Sequence, residues 1–310
     1  MKKFYFVLAA IATTLAIGAT ACSENVQDDY SENVSVVEFD DAVTRSECDA
    51  EVEAFAELNQ ELMQLSEIYP SEVIARSNRP FWNGLKKIVA ADAIGACSAI
   101  APSLILSLNL VHLGAIYGSL RELAELLDPD NPDLDYLPRV PELNPNINTN
   151  TVSGVAEYSG YIHNLVLYDV YSELGENIRI VPSEYIKETI VRKYSRYVRS
   201  TSEENSYFVR DTISSSTCSA IMADFDQHTP QQFIARMATM IPNRANEINV
   251  FGTFCCQYND YANQTTKDSY TTAFMRTVRN SSISIDSKNY IISAVSVANY
   301  SDKLWEPVEN

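Results

Sequence analysis

Side chains that commonly carry catalysis are few in this chain and lie far apart. The chain has three histidines and six cysteines, and no histidine adjoins a cysteine pair, so the spacings match no zinc site. H-E-x-x-H, G-x-S-x-G, a phosphate-cradling glycine loop and a dinucleotide fingerprint are all missing from the sequence. A catalytic Cys–His pair formed by residues that are distant in sequence remains an alternative. We therefore expect a protein that is not an enzyme and that has no metal site and no cofactor.

The cysteines beyond Cys22 form an odd set, which leaves at least one thiol free or bonded to another chain. A disulfide from Cys218 to either residue of the vicinal pair is plausible, and a redox role for that pair is the alternative to a structural one. The members of the set are Cys48, Cys97, Cys218, Cys255 and Cys256.

Residues 93–120 form an apolar stretch of 28 residues without a formal charge. Pro102 interrupts the stretch, so we expect a helical hairpin that bends near residue 101. Small residues recur at four-residue spacing, with Gly95 in the first arm and Gly114 and Gly118 in the second. Such spacing lets helix backbones approach closely, in lipid or in a tight core. His112, in the second arm, is either a sensor or a satisfied core histidine.

The residues before this stretch combine aromatic and cationic side chains: Phe81, Trp82, Lys86 and Lys87. Asp92 is the last charged residue before the apolar stretch. Residues 81–102 resemble the cationic-aromatic start and small-residue helix of bacteriocin-type peptides. The resemblance implies a membrane-active segment, in which Asp92 is a candidate pH-dependent trigger. The alternative is a pair of core helices in a soluble bundle, because each arm is only near the length that spans a bilayer.

The first 22 residues have the order of a secretory signal. Lys2 and Lys3 precede an apolar run, residues 4–17, and Ala19-Thr20-Ala21 precedes Cys22. This end resembles the lipobox of bacterial lipoproteins, which implies that Cys22 becomes the first mature residue and carries acyl chains into a bilayer. The acidic residues that follow resemble the signals that send lipoproteins of Bacteroidota to the outer face of the outer membrane.

The charge of the chain argues against nucleic-acid partners. Without residues 1–21 the chain keeps 21 basic and 41 acidic residues, a net charge of 21 − 41 = −20 with histidine neutral. Such a charge repels nucleic acid and anionic headgroups.

Composition divides the chain into five parts. After the signal peptide (1–21) we expect an acidic tether (22–45), a helical domain with the apolar hairpin (46–127), a Pro/Asn/Asp-rich linker (128–150) and a C-terminal helical domain (151–310). Arg139 in the linker is a candidate site for an arginine-specific protease, with Arg76 and Arg45 as competing sites.

Hydrophobic periodicity predicts an all-α fold, a helical bundle, with no fixed-period repeat. The predicted helices cover residues 46–69, 78–101, 153–176, 183–200 and 230–249, with shorter ones at 207–224, 251–262, 265–281 and 286–302.

Two functions follow from these patterns. The first is a lipid-anchored, surface-exposed, bacteriocin-like toxin that acts on a target membrane or surface receptor and is activated or released by cleavage after arginine. The second is a non-catalytic surface lipoprotein that binds a glycan or an envelope protein. The sequence favours the first, because only the first explains why one segment is so apolar.

Overall fold

The computed structural model describes residues 41–70, 108–126, 136–138, 156–199, 202–210, 230–258, 260–261 and 263–307. Helices make up most of these residues, so the predicted all-α fold class is confirmed. The helices are α1 (Asp41–Ile68), α2 (Leu108–Leu126), α3 (Ser159–Leu174), α4 (Ser183–Tyr194), α5 (Ser202–Arg210), α6 (Pro230–Met240), α7 (Ala245–Tyr258), α8 (Gln264–Asn280) and α9 (Ile285–Leu304). Short 3₁₀ turns occupy Ala156–Tyr158, Gly175–Arg179 and Pro242–Arg244.

A short antiparallel strand pair accompanies the helices. Strand β1 (Tyr136–Pro138) belongs to the segment expected to be a linker, and it pairs with β2 (Trp305–Pro307), which directly follows α9. The register places Leu137 opposite Glu306. Apart from β1, residues 128–150 lie outside the described residues. Three residues of the expected linker are therefore hydrogen-bonded to the chain beyond α9.

Contacts group residues 46–310 into one unit and residues 1–45 into another. Of the smaller unit, the structure describes the first residues of α1. In the larger unit, helices from both sides of residues 128–150 take part: α1 packs with α6–α9, and α2 packs with α3–α5. Helix α9 belongs to both groups, since it lines the first apolar cluster and contributes Leu304 to the second.

Helix α1 is amphipathic in the way its periodicity predicts. Phe55, Leu58, Leu62 and Leu65 are buried in the first apolar cluster, whereas the carboxylates between them are exposed. The helix begins at Asp41, five residues before the predicted start at residue 46. The apolar spacing therefore located the buried face correctly but not the first turn.

The prediction of one helix over residues 230–249 is wrong. The structure ends α6 at Met240, forms a 3₁₀ turn at Pro242–Arg244 and starts α7 at Ala245. Proline has no backbone N–H and clashes with the preceding helical turn, so Pro242 separates the two helices. Helix α7 then runs to Tyr258 and takes in most of the residues predicted as a separate helix at 251–262.

Helix α2 is the described part of the apolar hairpin's second arm. Its residues 112–120 are all buried, including Gly114 and Gly118. Leu113, Ile116 and Leu120 have no exposed area and pack into the second apolar cluster. An α-helix that is apolar on every side belongs in a protein core or a membrane, and here α2 lies in a core.

Helices α3 and α9 make the most extensive contact among the described helices, and small residues line it. A Cβ atom on Gly160 would overlap the carbonyl oxygen of Ser296 and lie 2.6 Å from its carbonyl carbon. The Gly160 N–H donates to Ser296 Oγ at 3.0 Å, and that hydroxyl donates to the carbonyl of Glu157 at 2.6 Å. The two backbones meet here with no room for a side chain at position 160.

We expect Gly160→Ala to lower the free energy of unfolding by about 3 kcal/mol, because the new methyl group meets backbone that cannot rotate away. Gly252→Ala is the matched control. Its Cβ would approach the side chain of Ile234 at 2.5 Å, which can shift, so we expect a loss of about 1 kcal/mol or less, offset by the better helix propensity of alanine. Urea denaturation of the mature chain, followed by circular dichroism, measures both; equal losses would contradict the close crossing.

Candidate functional site

A cluster of buried polar side chains joins α2 to three other helices. His112 lies at its centre, with Nδ1 2.8 Å from the Tyr194 hydroxyl of α4 and Nε2 2.5 Å from the Ser159 hydroxyl of α3. Tyr194 donates to Asn109 Oδ1 at 2.9 Å, and Ser293 of α9 donates to Ser159 at 2.6 Å. We call these five residues the His112 cluster.

Burial controls the protonation of His112. It lowers the pKa of the imidazole from 6.5 to about 3, and the electrostatic interaction with His163 is a smaller cause in the same direction. The ring is therefore neutral at pH 7. His163 is also buried; it donates from Nδ1 to Asn164 Oδ1 at 3.0 Å, and Asn164 donates to the Tyr300 carbonyl at 2.8 Å. Both ring nitrogens of His112 have hydroxyl partners, as the satisfied-core alternative requires.

A serine hydroxyl beside a histidine nitrogen is the arrangement that activates a nucleophile. Ser159 has no exposed area, however, and its Oγ also lies 2.6 Å from the carbonyl oxygen of Ala156. A nucleophile must reach its substrate, and this hydroxyl is enclosed by α2, α3 and α9. The geometry fits a structural role, in which polar groups hydrogen-bond in only one register of the helices.

A second buried polar cluster lies between α7, α8 and α9. The Lys267 ammonium is 2.6 Å from Asp302 Oδ2, and the Tyr258 hydroxyl donates to the same oxygen at 2.7 Å. The side chains of Lys267 and Asp302 are 7% and 4% exposed. Burial and the charge of Asp302 raise the pKa of Tyr258 well above its ordinary value. We call these three residues the Lys267 cluster; its charges compensate one another within the core.

The end of α1 forms an exposed apolar point above a shallow groove. Ile68 is 71% exposed, and it lines a groove of about 340 Å³. One wall is apolar and the other, on α8, carries hydroxyl groups. We call this surface the α1 tip; its residues are Ile68, Tyr69, Pro70, Thr265, Thr266 and Ser269.

Two side chains hold the α1 tip in place from below. Gln257 Nε2 and the Tyr261 hydroxyl both donate to the carbonyl oxygen of Tyr69, each at 2.8 Å. The Tyr69 ring packs edge-on against Tyr270, with centroids 5.9 Å apart. The last carbonyl groups of a helix lack partners within the helix, and here α7 and the residues after it supply them. The backbone that carries Ile68 is therefore fixed before anything binds.

The vicinal cysteines of α7 are both free thiols. Burial raises the pKa of the Cys255 thiol well above its ordinary value, with the neighbouring Cys256 as a smaller cause. Cys255 is therefore protonated at pH 7 and a poor nucleophile. Cys218, the partner considered for a disulfide, lies outside the described residues.

Few of the residues predicted for lipidation, cleavage or membrane activity fall within the described part. Gly114 and Gly118 lie in the buried part of α2, and Arg45 lies in α1. The rest lie outside it: Cys22, Arg76, Phe81, Trp82, Lys86, Lys87, Asp92, Gly95, Pro102 and Arg139.

Sequence reasoning named neither the polar partners of His112 nor the Lys267 cluster. The residues that meet at His112 are 47 and 82 positions away along the chain, and Lys267 and Asp302 are 35 apart. No local pattern links such positions. Helix α9 did carry one usable signal. Its apolar residues require the helix to be buried, so the polar residues among them must find hydrogen-bond partners in the core.

Within the residues that the structure describes, no helix is long and apolar enough to cross a membrane, and no group of His, Cys, Asp or Glu side chains could hold a metal ion. No family model, no curated protein and no solved structure matches the chain.

Breaking the buried ion pair should cost far more than breaking an exposed one. We expect Lys267→Met to lower the free energy of unfolding by about 3–5 kcal/mol, because Asp302 would keep a buried charge without its cation. The control is Lys303→Met, whose partner Asp268 lies at 2.7 Å with both side chains more than one-third exposed; we expect a loss of about 0.5 kcal/mol.

The double variant Lys267→Met/Asp302→Leu completes the test by urea denaturation. Removing both charges should recover most of the loss, since no unpaired charge remains. A double variant as unstable as the single one would contradict the charge-based explanation.

Proposed function

We propose that this chain is a lipid-anchored, non-catalytic protein of the outer membrane surface that binds an envelope protein through the α1 tip. The anchor rests on the lipobox resemblance at Cys22. The 19 residues from Cys22 to Asp40 reach about 65 Å when fully extended. Ile68 stands roughly 33 Å along α1 from Ser46, the residue that follows the expected tether. The length of this tether is sufficient for a binding surface to stand away from the bilayer.

The observation that carries the proposal is the exposure of Ile68 on a fixed backbone. An isolated exposed apolar residue is ordinary. Ile68, however, adjoins the exposed Pro70 and a groove whose opposite wall carries the hydroxyls of Thr265 and Ser269. An apolar centre with a polar rim is typical of protein-binding surfaces, and a preordered anchor loses little entropy on binding.

The charge around the α1 tip favours a basic partner. The exposed side of α1 carries Glu53, Glu57, Glu61 and Glu67, and the mature chain is strongly acidic. Opposite charges on the rim of an interface raise the association rate and select the partner. The partner we infer has an apolar pocket with lysine or arginine around it.

The membrane-active function favoured by the sequence requires a conformational change. It would require α2 to leave the core, because residues 112–120 are buried and His112 is hydrogen-bonded to α3 and α4. Binding through the α1 tip needs no such opening, and for that reason we place it first.

Site-specific photo-crosslinking in cells that make the full chain tests the binding proposal. A crosslinker at position 68 should capture one protein reproducibly. The same crosslinker at Ile180, which is 81% exposed and far along the chain, should not. The captured protein is then purified and titrated against the purified mature chain.

In that titration we expect Ile68→Asp to weaken binding at least about tenfold, which is about 1.4 kcal/mol, while Ile180→Asp stays near the unsubstituted chain. Raising the salt concentration should slow association, because charge steering is screened. Equal capture from positions 68 and 180, or unchanged affinity for Ile68→Asp, would contradict the binding proposal.

Vesicles separate this function from the membrane-active one. If binding is the function, the mature chain should release no dye from lipid vesicles, either intact or cut after Arg139. Dye release under either condition would favour the toxin instead.

A further inference from the structure

The His112 cluster is the polar part of an otherwise apolar interface around α2. Leu113, Ile116 and Leu123 fill the second apolar cluster, and their packing does not depend on pH. The imidazole and its hydroxyl partners are the groups in this interface whose hydrogen bonds change with protonation.

Counting protons shows that the neutral cluster lacks one. Four contacts connect five residues in a row: Asn109 Oδ1 to Tyr194, Tyr194 to His112, His112 to Ser159, and Ser159 to the carbonyl of Ala156. Both ends of the row are acceptors. Tyr194, Ser159 and a neutral imidazole carry one proton each, so three protons serve four contacts. A second proton on the imidazole would complete the row.

That proton would, however, bring a positive charge, and among the described residues no carboxylate acts on His112 to balance it. The ring contacts Ser159 of α3 and Tyr194 of α4, and Ser159 in turn accepts a hydrogen bond from Ser293 of α9. Among the described residues, His163 is the ionisable group whose charge acts on His112.

The other charged groups described near α2 do not compensate a positive charge on His112. Lys187 of α4 lies 5.3 Å over the ring of Tyr117, so it adds a second positive charge against α2. Asp302 of α9 pairs with Lys267. Helix α5 meets α2 through Phe208, and the turn at Gly175–Arg179 has its charged residues exposed. One added hydrogen bond stabilises less than an unpaired buried charge costs.

We propose that the His112 cluster is a proton-operated latch: it holds α2 in the bundle while neutral, and proton uptake at His112 loosens α2 from α3, α4 and α9. Water then reaches the imidazolium and replaces the missing carboxylate. The proposal is independent of the α1 tip and of any partner.

The direction of the pH effect follows from the pKa of His112. Its value is 6.5 when the ring is in water and about 3 in the bundle, so the open state binds more protons between these values. The closed state is fully favoured above pH 6.5 and loses that advantage as the pH falls. One such proton raises the open population by up to about tenfold per pH unit, or about 25-fold between pH 7 and pH 5.

Hydrogen exchange of the full mature chain, read by mass spectrometry at pH 7 and pH 5 and corrected for intrinsic rates, tests the latch. We expect the amides of α2 to lose about 25-fold in protection, while those of α8, which lines the other apolar cluster, change little. Uniform loss in both helices, or loss in neither, would overturn the proposal.

Two variants assign the effect. His112→Gln keeps a hydrogen-bonding side chain that does not titrate, so the change in α2 protection between the two pH values should shrink to less than about threefold, whatever the stability of the variant at pH 7. His163→Gln should keep most of the change. A pH response that survives His112→Gln, or one that only His163→Gln removes, would also overturn the proposal.

Discussion

The close crossing of α3 and α9 at Gly160 is the constraint on which the rest of the described structure depends. With no Cβ at this position, the backbone of α3 reaches the carbonyl of Ser296. Three hydroxyl-mediated contacts at this crossing, from Ser293 and Ser296, hold the start of α3 against the middle of α9. The same approach places Ser159 against His112. Helix α9 can therefore line one apolar cluster while it closes the other.

The two buried polar clusters offset the free-energy cost of burying polar groups in different ways. In the Lys267 cluster the cation, the carboxylate and the Tyr258 hydroxyl satisfy each other, so the charges are present and balanced. In the His112 cluster the ring is buried and neutral, and its two nitrogens lie against hydroxyl groups. The first cluster therefore ties α8 to α9 through paired charges. The second ties α2 only as long as no proton arrives. This difference makes α2, the described arm of the apolar segment, the helix whose packing responds to acid.

The surface and the core point to separate roles. The α1 tip is held from within by Gln257 and Tyr261, so its exposed isoleucine is available without rearrangement. Residues 112–120 of α2, in contrast, are buried and are available only if the bundle opens. The two proposals, binding through the α1 tip and release of α2, are thus compatible with one another.

The amino-acid sequence by itself determined where most of the described helices form and which side of α1 is buried. In α1 the spacing of Phe55, Leu58, Leu62 and Leu65 predicted the buried face, and the predicted bounds of α8 and α9 lie within two residues of those in the structure. These features depend on residues one to four positions apart, so local periodicity encodes them. Only the tertiary structure decided that Pro242 separates two helices, that β1 pairs beyond α9, and that His112 meets Ser159 and Tyr194. Those polar contacts join residues dozens of positions apart, and they form because the apolar faces pack in one arrangement, which no local pattern specifies.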